Sequence, residues 1–216
     1  MSELQAPKLE PELEAKYKVR FETILNPLAV AVENQLKAYL VGVDRIDRVC
    51  ARPKSVKKFI GKAGKLHEGS LKYREPLRQI QDQIGARIVT FYNTDVETVA
   101  PLVTQYYSKR EFTSHVPESE SEFGYEGKHF ILNIPRDLYP ATFDIDLMPD
   151  VFELQVKTLF QHAWAEAEHD LAYKPEVELD TNDKRLFAFT AAQAWGADKI
   201  FDDLYHKLEG KKPRST

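Results

Sequence analysis

The segment Val151–Lys157 alternates between apolar and polar residues after its first position. Because successive side chains of a β-strand point to opposite faces, the pattern predicts a strand with one apolar and one polar face. The two faces consist of three residues each: Phe152, Leu154 and Val156 against Glu153, Gln155 and Lys157. A carboxylate, an amide and an ammonium in one row need polar surroundings, which either a functional site or the solvent beside an edge strand provides.

A second strand is predicted from Ile84 to Tyr92, where β-branched and aromatic residues are concentrated. Asp82 comes just before this strand and Arg87 lies within it. A carboxylate at the end of a strand is either a turn cap or a ligand for a metal or a phosphate group. If Asp82 lies near Glu153, the pair suits Mg²⁺, which takes few carboxylates and keeps its waters and substrate phosphates.

The charges of the chain are unevenly distributed. The net charge is −4, yet residues 45–78 contain eleven Lys and Arg against three acids. A basic block in an acidic protein indicates a local anion site, or else a solvated lysine-rich loop, and argues against general coating of nucleic acid. Four of the cations converge on one polyphosphate if the chain becomes helical near Ser55: Arg52, Lys54, Lys58 and Lys62. No G-x-x-x-x-G-K-[ST] motif occurs, so side chains would hold the phosphates.

Apolar residues recur every three or four positions between Leu9 and Leu40, which predicts a helix that Asn26-Pro27 kinks or splits. Further elements are expected along the chain: a helix from Pro76, a helix from Thr94 to about Lys109, a strand from His129 to Ile134, and helices over 158–171 and 183–208. The spacing of Thr94 and Glu97 predicts a capping box at the start of its helix. The polar stretch 111–124 is interpreted as a loop.

This order of elements predicts an α+β fold in which helices flank a mixed sheet. The expected organisation has four parts: a disordered segment 1–8, a helical region 9–44, a core 45–175, and a C-terminal helix and tail 176–216. The single cysteine, Cys50, cannot form an internal disulfide, which indicates a reducing compartment. The sequence contains neither a membrane-length apolar run nor a signal peptide pattern, so we expect a cytoplasmic protein without a membrane segment.

The segment Phe123–His129 places Tyr125 between two glycines, just before a strand. A tyrosine held out on such a loop can stack on a base, and the alternative is a turn with a buried tyrosine. Lys128 and His129 are expected on opposite faces of the strand, so at most one of them shares a site with Tyr125.

A helical face downstream combines His162, Glu166 and His169, at spacings of four and three residues. Two histidines and a carboxylate form a potential zinc ligand set. The H-E-x-x-H motif is absent, and Ala163, Trp164 and Ala165 are typical of a packing helix, so we favour packing of these polar residues against the sheet.

Five segments, in this order, resemble the synthetase domain of the RelA/SpoT family of alarmone synthetases: RPKSVKKFIGK, DQIGARIV, FGYEGKHF, ELQVKT and QHAWAEAEHDLAYK. The resemblance covers residues 45–175, and the chain resembles a stand-alone small alarmone synthetase. It implies a nucleotidyltransferase-like domain with N- and C-terminal helices. It also implies transfer of the β,γ-pyrophosphate of ATP to the 3′-hydroxyl of GDP or GTP, which makes the alarmone (p)ppGpp.

The resemblance also assigns roles to individual residues. On the ATP side, Arg52 and Arg87 would enclose the adenine, and three lysines would hold the phosphates: Lys54, Lys58 and Lys62. Asp82 and Glu153 would bind Mg²⁺, and Asp82 would help to activate the acceptor hydroxyl. On the acceptor side, Tyr125 would stack on the base, and three residues would lie beside the acceptor and the transferred group: His129, Gln155 and Lys157.

Three features depart from the family pattern. Lys58 replaces a usual serine, and Lys157 replaces a usual arginine, whose bidentate fork suits phosphate better. The loop before Tyr125 carries Glu120 and Glu122, which would repel the diphosphate of GDP. Two alternatives therefore stay open: a toxin, paired with an antitoxin, that modifies the tRNA 3′ end or an adenine nucleotide, and a non-catalytic nucleotide-binding module. A homo-oligomer is compatible with either.

Overall fold

The computed structural model describes residues 11–115, 122–124, 127–140, 147–172 and 178–211. The expected disordered segment 1–8 lies outside these ranges. The helices are α1 (Leu13–Arg20), α2 (Asn26–Tyr39), α3 (Val56–Ala63), α4 (Pro76–Gln79), α5 (Asn93–Tyr106), α6 (Leu159–Ala172) and α7 (Thr181–Glu209). The strands are β1 (Ile46–Pro53), β2 (Leu66–His67), β3 (Ser70–Leu71), β4 (Ile84–Thr90), β5 (Lys109–His115), β6 (Gly127–Asn133) and β7 (Val151–Thr158).

Five strands form one sheet in the order β1-β4-β7-β6-β5. The pair β4·β7 is parallel and the other three pairs are antiparallel, so the sheet is mixed and the predicted α+β class is confirmed. The strand Val151–Thr158 is central and hydrogen-bonded on both sides. The edge-strand interpretation of its polar face is therefore wrong, and on that face Glu153 and Gln155 are half-buried while Lys157 is buried.

The apolar face of the sheet is covered by α2 and α5, which pack against β1, β4 and β7. The predicted apolar row of β7 lies in this core, with Phe152, Leu154 and Val156 fully buried. Burial of large apolar side chains of this kind contributes about 1.5–3 kcal/mol each. This layer fixes which row of β7 faces the opposite side.

The N-terminal helix changes its winding where Asn26-Pro27 was predicted to kink or split it. A π-helical turn, Phe21–Leu25, joins α1 to α2, and the backbone N–H of Asn26 donates to the carbonyl of Phe21. Pro27 has no N–H to donate, and it stands in the first turn of α2, where that donor is not needed. The helix thus continues through a widened turn instead of breaking.

The capping box predicted at Thr94 and Glu97 is wrong. Helix α5 begins at Asn93, and at its start the carboxylate of Asp95 accepts the backbone N–H of Tyr92 at 3.2 Å. Thr94 instead contacts α7, where Asp202 accepts its backbone N–H at 3.0 Å and its hydroxyl at 3.2 Å. The capping carboxylate is therefore Asp95 and not Glu97, and Thr94 has a tertiary partner that local spacing does not show.

The predicted loop 111–124 is wrong in its first part, because residues 111–115 belong to β5, the strand that pairs with β6 at the edge of the sheet. All seven residues of β5 are exposed. An edge strand with two solvated faces has no apolar alternation, so its polar sequence resembles that of a loop.

Helix α6 follows β7 directly and packs against α7. The hydroxyl of Thr158 donates to Asp198 of α7 at 2.7 Å, and the indole N–H of Trp164 donates to Thr190 at 3.0 Å. Among the helices that the structure describes, none combines the length and the apolar character that crossing a bilayer requires.

Candidate nucleotide site on the polar face of the sheet

Side chains from four neighbouring strands share the polar face of the sheet. Gly85 lies between Arg52 on β1 and Glu153 on β7 in the register, while Arg87 lies beside Gln155 and Gln155 beside His129. Directly paired residues project to the same side, so these strands form one polar surface. Gly85 leaves its centre open, because a Cβ built there would have no neighbour within 4 Å.

Asp82 lies in the turn before β4 and contacts two lysines of the basic block. Its Oδ2 is 2.9 Å from the Nζ of Lys54 and 2.9 Å from the Nζ of Lys62. Burial raises the pKa of this carboxyl, but the two lysines outweigh it and hold the pKa below its ordinary value. Asp82 is therefore an anion in the folded protein, and it joins the basic segment to the sheet.

Local structure explains why the cations converge. Ser55 caps α3 by accepting the backbone N–H of Lys58, so the chain turns from strand β1 into a helix at the expected point. Lys58 and Lys62 then stand one turn apart. Burial, followed by the charges of Arg52 and Lys54, lowers the pKa of Lys58, as expected for cations gathered on one side.

Glu153 forms the second anionic point of the face. Its Oε1 lies 3.1 Å from Nδ1 of His129. Burial raises the pKa of the Glu153 carboxyl. The hydrogen bond from His129 and the charge of His129 lower that pKa by a larger amount, so the net shift is downward. The charge of Asp82 acts on Glu153 in the opposite direction, so the two carboxylates are within electrostatic reach of one another.

This carboxylate pair fits a magnesium ion. Oδ1 of Asp82 is buried and has no hydrogen-bond partner within the part of the chain that the structure describes, which is costly for an anion unless a cation occupies that side. No cluster of three or more His, Cys, Asp or Glu suited to a metal occurs among those residues. Two hard oxygen ligands with room for substrate phosphates are the protein contribution that Mg²⁺ usually requires.

The far end of the face is cationic and is partly covered by α6. Nη1 of Arg87 lies 2.6 Å from Oε1 of Glu166. The side chain of Lys157 is 2 % exposed, and burial, followed by the charge of Arg87, lowers its pKa to about 8. Buried Nδ1 of His162 has no hydrogen-bond partner among the described residues. The predicted packing of this helical face thus includes an ion pair with the sheet.

The structure brings together ten of the eleven residues that the sequence nominated. They are Arg52, Lys54, Lys58, Lys62, Asp82, Arg87, His129, Glu153, Gln155 and Lys157. Tyr125 lies outside the described residues. The predicted separation of Lys128 from His129 is confirmed, because Lys128 forms an ion pair with Glu97 of α5 on the opposite face.

Sequence reasoning missed Glu166 as a partner of Arg87. The only signal was its place on one helical face with His162, which suggested a metal ligand set instead. It also missed two residues of α1, Tyr17 and Arg20, which contact the backbone beside the site. Their acceptors are main-chain carbonyls, which have no sequence signature.

Comparison with known proteins found a matching family and a relative of known activity. The family described as "Region found in RelA / SpoT proteins" matches residues 51–178. The GTP pyrophosphokinase YjbM of Bacillus subtilis is 28% identical over 174 residues, which cover 72% of this chain and 74% of that protein.

Two solved structures of the small alarmone synthetase 1 from Bacillus subtilis share the fold. The one bound to its product pppGpp is 20% identical with a TM-score of 0.67, covering 91% of this chain and 98% of the other. The one bound to AMPCPP is 19% identical with a TM-score of 0.62, covering 92% and 99%. Since the family match extends over more than half of its residues, the chain belongs to the RelA/SpoT family.

Proposed function

We propose that this protein is an ATP-dependent pyrophosphokinase that transfers the β,γ-pyrophosphate of ATP to the 3′-hydroxyl of GDP or GTP, producing (p)ppGpp. The observation that carries the proposal is the salt-bridged cluster of Lys54, Lys62 and Asp82 beside Glu153 on one polar face. Such an arrangement binds a polyphosphate and a divalent cation together. The similarity to a GTP pyrophosphokinase supports the choice of reaction.

The donor half of the site would consist of β1, α3 and β4. Arg52 and Arg87 lie on adjacent strands and would enclose the adenine, while Lys54, Lys58 and Lys62 would contact the phosphates. The lysines that neutralise Asp82 are already gathered where the polyphosphate would arrive. Phosphoryl-type transfer depends mainly on positioning and charge neutralisation, so this set suffices without a covalent nucleophile.

Asp82 and Glu153 would hold Mg²⁺, which when bound supplies positive charge at the pyrophosphate group. In the transfer itself, the acceptor O3′ forms a bond to the β-phosphorus of ATP. The bond from that phosphorus to the α,β-bridging oxygen breaks, and AMP leaves. Asp82 would help to activate the 3′-hydroxyl, whose proton passes to solvent as the new bond forms.

The acceptor half would include His129, Gln155 and Lys157, which continue the same face beyond Glu153. His129 contacts Glu153 directly and would place it relative to the acceptor. Lys157 is buried beside Arg87. Its ammonium would neutralise charge on the transferred group. Stacking of Tyr125 on the acceptor base stays a prediction from the sequence.

One labelling experiment tests the proposal. The protein is incubated with γ-labelled ATP and Mg²⁺ and, separately, with GDP, GTP, AMP or deacylated tRNA. We expect label on GDP and GTP, and none with the Asp82→Asn variant, which controls for contaminating kinases. Label on tRNA or AMP alone would show that the acceptor is wrong. Absence of label on every acceptor, from folded protein, would reject pyrophosphate transfer.

A further inference from the structure

Helix α1 precedes the segment that matches the family, yet it contacts the backbone of the site. Tyr17 is fully buried, and its hydroxyl donates to the carbonyl of Lys54 at 2.7 Å. Its ring stacks on Phe59 of α3, with centroids 3.6 Å apart and planes at 2°. One side chain thus contacts both the end of β1 and the helix that carries Lys58 and Lys62.

Arg20, one turn further along α1, contacts the segment that leads to Asp82. Its side chain is 1 % exposed, and Nη1 donates to the carbonyl of Leu77 at 2.7 Å. The amide of Gln83 donates to the same carbonyl at 2.9 Å and to that of Ile80 at 2.8 Å. The segment that ends in Asp82 is therefore closed into a compact turn with Arg20 at its base.

One backbone hydrogen bond joins the segment that Tyr17 contacts to the segment that Arg20 contacts. The N–H of Lys54 donates to the carbonyl of Gln83 at 2.8 Å, directly beside the ion pair between Lys54 and Asp82. The chain on one side of this junction is held by Tyr17 and on the other by Arg20. Both therefore act on the relative placement of the phosphate-binding lysine and the metal-binding carboxylate.

We propose that Tyr17 and Arg20 are positioning residues that fix Lys54 and Asp82 relative to each other for pyrophosphate transfer. The assignment rests on the proposed function, because it concerns the geometry of that site. Positioning within such a site matters strongly, since a misplacement of about 1 Å can lower a rate by about 10²-fold.

Stability alone does not account for Arg20. Its guanidinium is buried and its Nε has no acceptor among the described residues, so its burial carries a desolvation cost that the hydrogen bond to Leu77 only partly offsets. The carbonyl of Leu77 would keep the amide of Gln83 as a donor after replacement of Arg20 by an apolar side chain. A buried, costly cation that contacts the turn before Asp82 fits a role in placing that turn.

The test compares Arg20→Met and Tyr17→Phe with the control Tyr107→Phe, in the full-length chain. Tyr107 is also buried, and its hydroxyl has no partner among the described residues, so the control removes a comparable group away from the site. Three quantities are measured: the unfolding midpoint in urea, hydrogen exchange of peptides over 52–55 and 77–83, and kcat and KM per folded molecule with ATP and GDP.

We expect Arg20→Met to unfold at a urea concentration equal to or above that of the wild type, while its kcat falls by about tenfold. Tyr17→Phe should lower kcat to a similar extent. In both variants exchange should increase over 52–55 and 77–83 but not over β6, and KM for ATP should stay within about twofold, since other cations still bind the donor. Tyr107→Phe should leave kcat, KM and exchange unchanged, and its urea midpoint should be equal to or above that of the wild type, because a buried hydroxyl without a partner is removed.

Unchanged exchange in both regions, or unchanged kcat per folded molecule in both variants, would overturn the assignment. A loss of kcat that only parallels a loss of folded protein would overturn it as well. Failure of the proposed function is a separate result: the wild type would then label no acceptor, and the exchange measurement would still decide whether Tyr17 and Arg20 hold the two segments.

Discussion

Glu166 of α6 is paired with Arg87 of β4 at 2.6 Å, across the polar face of the sheet. Nearly half of the Glu166 side chain is exposed, so the pair adds little to the free energy of unfolding. Its consequence lies in orientation: the carboxylate fixes the direction of a guanidinium that is proposed to stack on adenine. Glu166 is therefore expected to affect nucleotide binding more than stability.

Glu166→Gln should weaken binding of a non-hydrolysable ATP analogue by about 1.4- to fivefold, which corresponds to the ~0.2–1 kcal/mol of an exposed ion pair. Isothermal titration calorimetry measures this Kd. Glu168→Gln is the matched control, because Glu168 lies on the same helix but lines the groove towards α7. Equal affinities for wild type and Glu166→Gln would show that the pair does not orient Arg87.

Arg52→Ala and Arg87→Ala should each raise the Kd for the same analogue, because each loses a cation–π contact of ~0.5–2 kcal/mol with the adenine. The double variant should bind more weakly than either single variant. Lys65→Ala, in the same basic block, serves as the charge control. An unchanged Kd in the double variant would place the adenine elsewhere.

Asp82→Asn and Glu153→Gln should each lower transfer by more than about 10²-fold, because each removes an anionic ligand of Mg²⁺ while keeping side-chain volume. Circular dichroism and urea unfolding show whether the fold is retained. Titration with Mn²⁺, followed by its electron paramagnetic resonance signal, reports metal binding independently of activity. Near-normal rates at saturating Mg²⁺ in either variant would remove that residue from the metal site.

Lys157 should give the rate an alkaline limit. Burial and the charge of Arg87 lower its pKa to about 8, so kcat should fall as the pH rises above about 8 and the ammonium is lost. Lys157→Arg keeps its charge at every accessible pH and should remain active further into the alkaline range. If the two pH–rate profiles coincide, the limit belongs to another group.

The same group affects stability with a definite sign. The unfolded lysine keeps a pKa near 10.5, so between pH 8 and 10.5 the unfolded chain binds more protons than the folded one. The contribution of Lys157 to the free energy of unfolding should therefore increase with pH across this interval. The difference between wild type and Lys157→Met, measured by urea unfolding at several pH values, isolates this contribution; a flat difference would contradict it.

The sequence predicted the parts of the fold that depend on local periodicity. The alternation of Phe152 and Glu153 along β7 determined both the core row and the site row. It did not predict that β7 is central, because strand order depends on pairings with β4 and β6 that are distant in the sequence. The exposed strand β5 was missed for a related reason, since a strand with two solvated faces has no apolar period.

Site residues could be predicted where charges cluster in the sequence or where a residue lies at the end of a strand. They could not be predicted where their role depends on a single tertiary contact. Charge density and strand-end position indicated Lys54 and Asp82 directly. Tyr17 donates to a carbonyl 37 residues away and Arg20 to one 57 residues away. The sequence around a helical donor does not indicate which distant carbonyl it will contact. Such contacts become visible only in the folded chain.

The central place of β7 links the integrity of the core to that of the site. Its neighbours on both sides fix the register, and a slip of one residue would exchange the two rows. Glu153 and Lys157 would then enter the apolar layer while Phe152 joined the polar face, at a cost that a marginally stable domain cannot tolerate. The folded state with β7 out of register is therefore unstable. Folded but inactive molecules of this kind do not accumulate.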